Sequence, residues 1–327
     1  MKLENENIFL IDSDEAFNAL ALSTFKFQAE NCTIYKNYIQ NLNIDANSIT
    51  DIEQIPFLPI GFFKTQTILS SNAPIEVTFS SSGTTGMVQS SHFVTDASLY
   101  ETSYLQAFDV FYGSISHYCV LALLPSYQQR SDSSLIYMVN DLIEKSRHPQ
   151  SGYFLHNDED LYQTLKNLKE KKQPTVLIGV TYALLDFIEK YAVYFPELIV
   201  METGGMKGKR KEMVREELHD QLTKGFGVTT IHSEYGMTEL LSQAYSLGHG
   251  IFNCPKWMKV FTRDTNDPLT LVAHGKTGGI NVIDLANINS CSFIATQDLG
   301  KIYPDGSFEV LGRFDNADIR GCNLLVQ

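Results

Sequence analysis

Between residues 75 and 236 the chain alternates short β-branched or apolar runs with stretches of helix length, and this rhythm leaves few folds open. Residues 75–79, 118–124, 175–180, 198–201 and 228–231 read as strands; 96–111, 133–145, 158–169, 182–191 and 206–224 read as helices, the last closed by Gly225. Strands separated by helices cannot pair as hairpins, so they stack side by side through crossovers, giving a parallel α/β sheet. The first fifty residues are also helical in pattern, with Phe17, Leu20, Ala21, Thr24 and Phe25 at helical spacing and a second amphipathic stretch at 35–42. Residues 51–64 carry two prolines and a glycine, which predicts an ordered loop crossing the surface. After Gly236 the pattern changes to short strands at 257–262, 269–272, 279–284, 293–296 and 307–310, joined by Gly, Asn and Asp turns. The expectation is one large α/β unit with a small antiparallel or barrel-like subdomain in its last third, and no repeat or linker.

Charge and cysteine usage narrow the function classes. With 25 basic and 38 acidic residues the formal charge is −13, the wrong sign for a general nucleic-acid footprint. The 20 Phe and 16 Tyr are enough to build a sizeable core. The five cysteines (Cys32, Cys119, Cys254, Cys291 and Cys322) form no CxxC pair or zinc spacing, which fits a reducing compartment. The acidic start, MKLENENIFLIDSDEAF, lacks a signal-peptide pattern, and the longest apolar run, 118–124, stops at Pro125. A cytoplasmic protein without a membrane span is expected.

Four segments carry chemistry. In Ser80-Ser81-Ser82-Gly83-Thr84-Thr85-Gly86, small residues allow close backbone approach to a phosphate and hydroxyls supply donors; Met87 in place of Lys-Ser/Thr rules out a Walker A loop. The plain alternative is a polar turn. In Ser233-Glu234-Tyr235-Gly236-Met237-Thr238-Glu239, a strand runs into a turn with two carboxylates, a hydroxyl and an aromatic ring. A carboxylate beside phosphates can hold Mg²⁺, and the ring can cover a base; the alternative is a solvated surface turn. In Thr296-Gln297-Asp298-Leu299-Gly300, Asp298 at a strand end could accept ribose hydroxyls. In Gly312-Arg313-Phe314-Asp315, Arg313 could fork onto phosphate or ribose oxygens. Taken singly, each is more often a turn aspartate or a surface arginine.

In this order, SSSGTTG, YGMTE, TQDLG and GRFD resemble the motifs of the adenylate-forming superfamily of acyl-CoA synthetases, peptide-synthetase adenylation domains and luciferases. Thr203-Gly204-Gly205 is similar to that superfamily's adenine-side glycine pair. IPFLPIGFFK, LPSYQQRSDSSLIYMV and RGCNLL look like the acyl-protein synthetases of bacterial luminescence operons, long-chain fatty-acid–protein ligases related to phenylacetate-CoA ligases. The resemblance implies an α/β fold, the large N-terminal domain of an adenylate-forming enzyme, with parallel α/β subdomains and a small β-rich subdomain. It further implies that Ser81, Ser82, Gly83, Thr84, Thr85 and Gly86 cradle the β- and γ-phosphates of ATP. Thr238 touches the α-phosphate and Glu239 binds Mg²⁺. Tyr235 and the Gly204–Gly205 pair enclose adenine, Gly236 is a further ATP- or AMP-binding residue, and Asp298 and Arg313 hold the ribose.

Two departures stand out. Gly86-Met87-Val88-Gln89 lacks the lysine usual after the phosphate loop. The usual C-terminal domain beyond the hinge is also expected to be missing, so the adenylate-forming domain spans 1–312 and a hinge-like tail spans 313–327. In that tail the resemblance assigns Cys322 as acyl acceptor, with Arg320 placed to lower its pKa and Gly321 to let the tail swing. The implied function is ATP-dependent activation of a carboxylic acid, such as a long-chain fatty acid, to an acyl-adenylate, with transfer to Cys322 as a thioester. The final acceptor would be a reductase, a carrier protein or a small thiol. The alternatives are a CoA or carrier ligase needing a separate C-terminal domain, and a non-catalytic adenylate-binding subunit.

Other features read as structural or remain open. The cluster Lys207, Lys209, Arg210, Lys211 and Arg215 shares a predicted helix with Glu212, Glu216 and Glu217, which favours a solvated face over a docking site for a pantetheine or CoA phosphate. Ser133 and Ser134 stand at a helix start as caps. His232 could line the pocket or serve as a strand histidine. Tyr182, Ala183, Phe187, Tyr153 and Phe154 could line an acyl tunnel, though aromatic stripes are usually core.

Overall fold

The computed structural model describes residues 5–81, 88–125, 132–155, 157–204, 210 and 213–314. They divide into two compact units: residues 1–75 with 256–327, and residues 76–255.

The first unit opens with α1 (Asp14–Asn31) and α2 (Thr33–Asn41). Ser13 caps α1 by accepting from Ala16 N–H, and Asp14 and Glu15 in the first turn face the positive end of the helix dipole. The buried face of α1 is Phe17, Ala21, Thr24, Phe25 and Gln28, at the expected helical spacing. Residues 51–64 form short 3-10 turns and β1 (Leu58–Pro59). They do not cross the surface as expected: Ile52, Ile55, Phe57, Leu58 and Phe63 are buried, because this apolar set outweighs the turn-forming prolines.

The second unit begins with a hairpin of β2 (Val77–Ser80) and β3 (Ser91–Val94), followed by α3 (Ala97–Tyr112). It continues as β4 (Cys119–Leu123), α4 (Ser134–Ser146), β5 (Gly152–Tyr153), α5 (Asp158–Glu170), β6 (Thr175–Val180), α6 (Thr181–Lys190) and β7 (Ile199–Thr203). It ends with α7 (Arg215–Phe226), β8 (His232–Tyr235), β9 (Ala244–Ser246) and β10 (Ile251–Asn253). The sheet order is β5-β4-β6-β7-β8-β9-β10, parallel up to β8 and antiparallel through β9 and β10. Every residue of β4 and β6 is buried, as parallel strands covered on both faces require.

Four expectations in this unit are corrected. The strand expected at 75–79 is Val77–Ser80, and it pairs antiparallel with β3 in a separate two-stranded sheet instead of joining the parallel one. The last parallel strand is His232–Tyr235, not 228–231, because pairing with β7 outweighs the β-branched propensity of Val228-Thr229-Thr230-Ile231. The described helix near the basic cluster starts at Arg215, and its cap is Gly227 at φ +63°. Gly225 lies inside it, where a Cβ would come 2.6 Å from Ile188 Cβ on α6.

The first unit is completed by β11 (Met258–Arg263), β12 (Thr277–Asp284), β13 (Phe293–Ile302) and β14 (Phe308–Arg313), antiparallel in chain order, with β1 parallel on β13. Residues 269–272 contribute a lone bridge between Arg263 and Leu271 rather than the expected strand. Phe293 anchors the core, stacked on Tyr35 at 6.0 Å and edge-on to Phe25 at 5.9 Å. Buried Gln28 of α1 donates to the carbonyls of Asn287 and Ile288 and accepts from Ser292 N–H at 2.9 Å. These bonds tie residues far apart in sequence, so the N-terminal helices belong with the β-rich third and not with the α/β sheet that follows them. Among the described residues no helix is long and apolar enough to cross a membrane.

Candidate active site

In parallel α/β sheets, ligand sites gather at the carboxyl ends of the strands, where loops are free of pairing. In the second unit β7 and β8 end side by side, with Thr203 opposite Glu234. The Thr203 hydroxyl donates to Glu234 Oε2 at 2.6 Å. Burial pushes the Glu234 pKa up to about 7; the Thr203 bond opposes the rise and Glu202, on the neighbouring strand, adds to it. The other carboxylate oxygen crowds Gly236, where a Cβ would fall 2.4 Å from Oε1. Glu234 and Tyr235 therefore belong to the strand rather than to the turn in which the sequence reading put them.

That turn begins two residues later. Leu240 N–H donates to Met237 O at 3.1 Å, which leaves Thr238 and Glu239 as its central residues. Buried Leu240 and Leu241 anchor the far side, and Glu239 is itself buried. The Thr238 carbonyl lies 2.8 Å from Nδ1 of His92, a fully buried residue of β3. Burial lowers the His92 pKa to about 4, against the raising effect of this bond, so the ring is neutral near pH 7 and Nδ1 carries the donated proton. Sequence reasoning missed His92. The available signal was its inward register with Ser90 and Val94, which marks a polar side chain on a buried face.

β2 and β3 flank the hydroxyl- and glycine-rich segment. Phe79 pairs with His92 and Ser80 with Ser91, and the Ser81 hydroxyl accepts from Ser90 N–H at 2.9 Å. Ser82, Gly83, Thr84, Thr85 and Gly86 lie outside the described residues, as do Gly205 and Cys322. Gly204 is described, and its carbonyl accepts from the Thr181 hydroxyl at 2.6 Å. Tyr235 is largely buried, its ring set edge-on to Phe252 at 5.9 Å, and Phe252 carries the Arg215 guanidinium at 5.1 Å. Tyr235, Gly236, Thr238, Glu239 and Gly204 thus share one sheet end of the second unit.

Asp298 and Arg313 belong to the first unit. Asp298 lies within β13 and not at a strand end; Arg313 sits opposite it on β14, with Nε donating to Asp298 Oδ1 at 3.0 Å.

The remaining candidates fall into the packing. Ser133 caps α4, its hydroxyl accepting from Ile136 N–H at 3.4 Å. Phe187 stacks on Phe226 at 5.8 Å in the core. His232 lies 3.3 Å from the Tyr112 hydroxyl through Nδ1. Arg210 is outside α7 and bonds Asp186 and Glu189 of α6. Cys32, Cys119 and Cys291 are buried, and burial raises each thiol pKa, which suits a packing role.

The family described as acyl-protein synthetase, LuxE, matches residues 11–327. A long-chain-fatty-acid–luciferin-component ligase of Photorhabdus luminescens is 41% identical over 69 residues, 21% of this chain and 59% of that protein. An open 2-hydroxyisobutyryl-CoA ligase in complex with 2-HIB-AMP and CoA matches 93% of this chain and 70% of its own at TM-score 0.65 and 11% identity. ATP-bound MatB from Rhodopseudomonas palustris matches 74% of this chain and 49% of its own at TM-score 0.55 and 16% identity. At these identities the solved structures speak for the fold, which is that of adenylate-forming ligases. The chain spans about half the length of MatB and 59% of the curated relative it matches.

Proposed function

The chain belongs to the acyl-protein synthetase family, and from that premise we propose that it is an acid–thiol ligase that activates a fatty acid with ATP. The observation that carries this reading is the Thr238–Glu239 turn at the carboxyl end of β8, beside the hairpin that brackets the hydroxyl-rich segment.

The first half-reaction forms a bond from a carboxylate oxygen to the α-phosphorus and breaks the bond to the β-phosphate bridge, so pyrophosphate leaves. Two anions must meet, and the barrier falls when donors and charge are aimed at the oxygens of the transition state. The Thr238 hydroxyl serves as such a donor. Glu239 fits a Mg²⁺ site shared with phosphates, which needs only one or two protein carboxylates, and magnesium there would neutralise developing phosphate charge. Within the second unit, Tyr235 with Gly204 and Gly205 is assigned to adenine and residues 81–86 to the phosphates; within the first unit, Asp298 and Arg313 are assigned to the ribose.

In the second half-reaction the Cys322 thiolate attacks the acyl carbon of the adenylate, AMP leaves and a thioester remains. The acyl group then passes to a partner protein, a reductase or carrier. The likeness to a CoA ligase supports a second reading, in which CoA is the acceptor and Cys322 is dispensable.

Pyrophosphate release measured with Mg·ATP and saturated acids of graded chain length tests the first step. Release that peaks with a long chain is expected. No release with any acid would replace this reading with a nucleotide-binding subunit.

A further inference from the structure

A β-turn has one mobile joint that its neighbours do not control. The peptide between its two central residues can flip through about half a revolution, exchanging type I for type II, while the flanking chain stays in place. In the turn closed by Leu240 N–H and Met237 O, that joint is the peptide linking Thr238 to Glu239, and its carbonyl is the one 2.8 Å from His92 Nδ1. Neither Thr238 nor Glu239 takes a positive φ, so the flipped form, which calls for a left-handed residue at the second central position, is not the one present. Both side chains assigned to the phosphates and the metal hang from this one peptide.

We propose that His92 is a positioning residue: by holding the Thr238 carbonyl it pins the Thr238–Glu239 peptide in the one orientation that presents the Thr238 hydroxyl and the Glu239 carboxylate together.

Three features make the pin effective. His92 is fully buried and sits in ladder register with Phe79, so its ring is fixed by the hairpin rather than by solvent. The ring is neutral across the working pH range, since burial holds its pKa down near 4, so the donated proton persists. The bond also joins points 146 residues apart in sequence, setting the turn against the β2–β3 hairpin. The proposal rests on the adenylation reading for the roles of Thr238 and Glu239, though not for the bond itself.

The test uses the stereochemistry of the replacement. An asparagine amide puts an N–H where histidine carries Nδ1, glutamine puts it near Nε2, and leucine supplies no donor. Full-length wild type, His92→Asn, His92→Gln and His92→Leu are compared by ATP–pyrophosphate exchange across a Mg²⁺ titration, and by amide hydrogen exchange of the segment holding Thr238 and Glu239. Leucine and glutamine are expected to lower kcat roughly 10- to 100-fold, the scale of a misplacement of about 1 Å. They should also raise the Mg²⁺ concentration for half-maximal rate and speed amide exchange in the turn, while asparagine restores all three to within about threefold on the same scale. If the leucine variant fails to fold, the asparagine–glutamine contrast carries the test. Unchanged amide exchange in the leucine or glutamine variant, or equal losses in asparagine and glutamine, would overturn the pin. A wild type silent in pyrophosphate exchange, with faster amide exchange in the variants, would overturn the adenylation reading and support the pin.

Discussion

Asp298 and Arg313 face each other across β13 and β14, with the guanidinium Nε donating to the carboxylate at 3.0 Å. The pair is asymmetric: the Asp298 side chain is 10% exposed and that of Arg313 75%. The strand therefore fixes the carboxylate, while the guanidinium lies along the surface. An ion pair with one partner in water contributes little to stability, typically under about 1 kcal/mol. Arg313→Ala should therefore unfold in urea within about 1 kcal/mol of wild type and yet show a KM for ATP raised roughly tenfold, the loss of a charge-assisted bond to nucleotide oxygen. An unchanged KM would remove Arg313 from the ribose site.

Glu234 predicts an inverted pH dependence. Its folded pKa, raised to about 7 by burial, lies above the unfolded value of 4.5. The native state thus holds the extra proton between those values. The stabilising contribution is complete below pH 4.5, is lost as pH rises through 7, and is flat above. At roughly 1.4 kcal/mol per unit the swing is on the order of 3 kcal/mol. Glu234→Gln, which keeps an acceptor for Thr203, should melt close to wild type at pH 5 and clearly above it at pH 8. Parallel melting curves for the two proteins across that range would contradict the assignment.

Gly236 allows the close approach of the Glu234 carboxylate. A methyl group there would land 2.4 Å from Oε1, and rotating the carboxylate away would break the Thr203 bond. Gly236→Ala should cost about 1–3 kcal/mol in unfolding free energy, the range for a strained or unsatisfied buried polar group. The double variant Gly236→Ala/Thr203→Val should cost less than the sum of the two singles, because both act through one contact.

The α/β rhythm was legible because β4, β6 and α5 carry their pattern locally, and 175–180 was read to the residue. What escaped the reading depends on contacts remote in sequence. Gln28 reaches residues 287–292, which joins the N-terminal helices to the β-rich third. The pairing of β8 with β7 moved a strand four residues from its β-branched run, and this shift carried Glu234 out of the turn and against Thr203. β3 is a four-residue strand whose alternation hides a histidine among serines, so the partner of Thr238 had no local signature beyond an inward register. The site motifs were readable as motifs. The bonds between them, from His92 to Thr238 and from Arg313 to Asp298, appear only with tertiary structure.

The most direct measurement is the intact mass of the full-length protein after incubation with Mg·ATP and a panel of carboxylic acids, beside Cys322→Ser. The account predicts a hydroxylamine-labile adduct of one acyl mass on the wild type, absent from the serine variant, with pyrophosphate released by both. An adduct of equal size and lability on Cys322→Ser, or no adduct and no pyrophosphate with any acid, would contradict it.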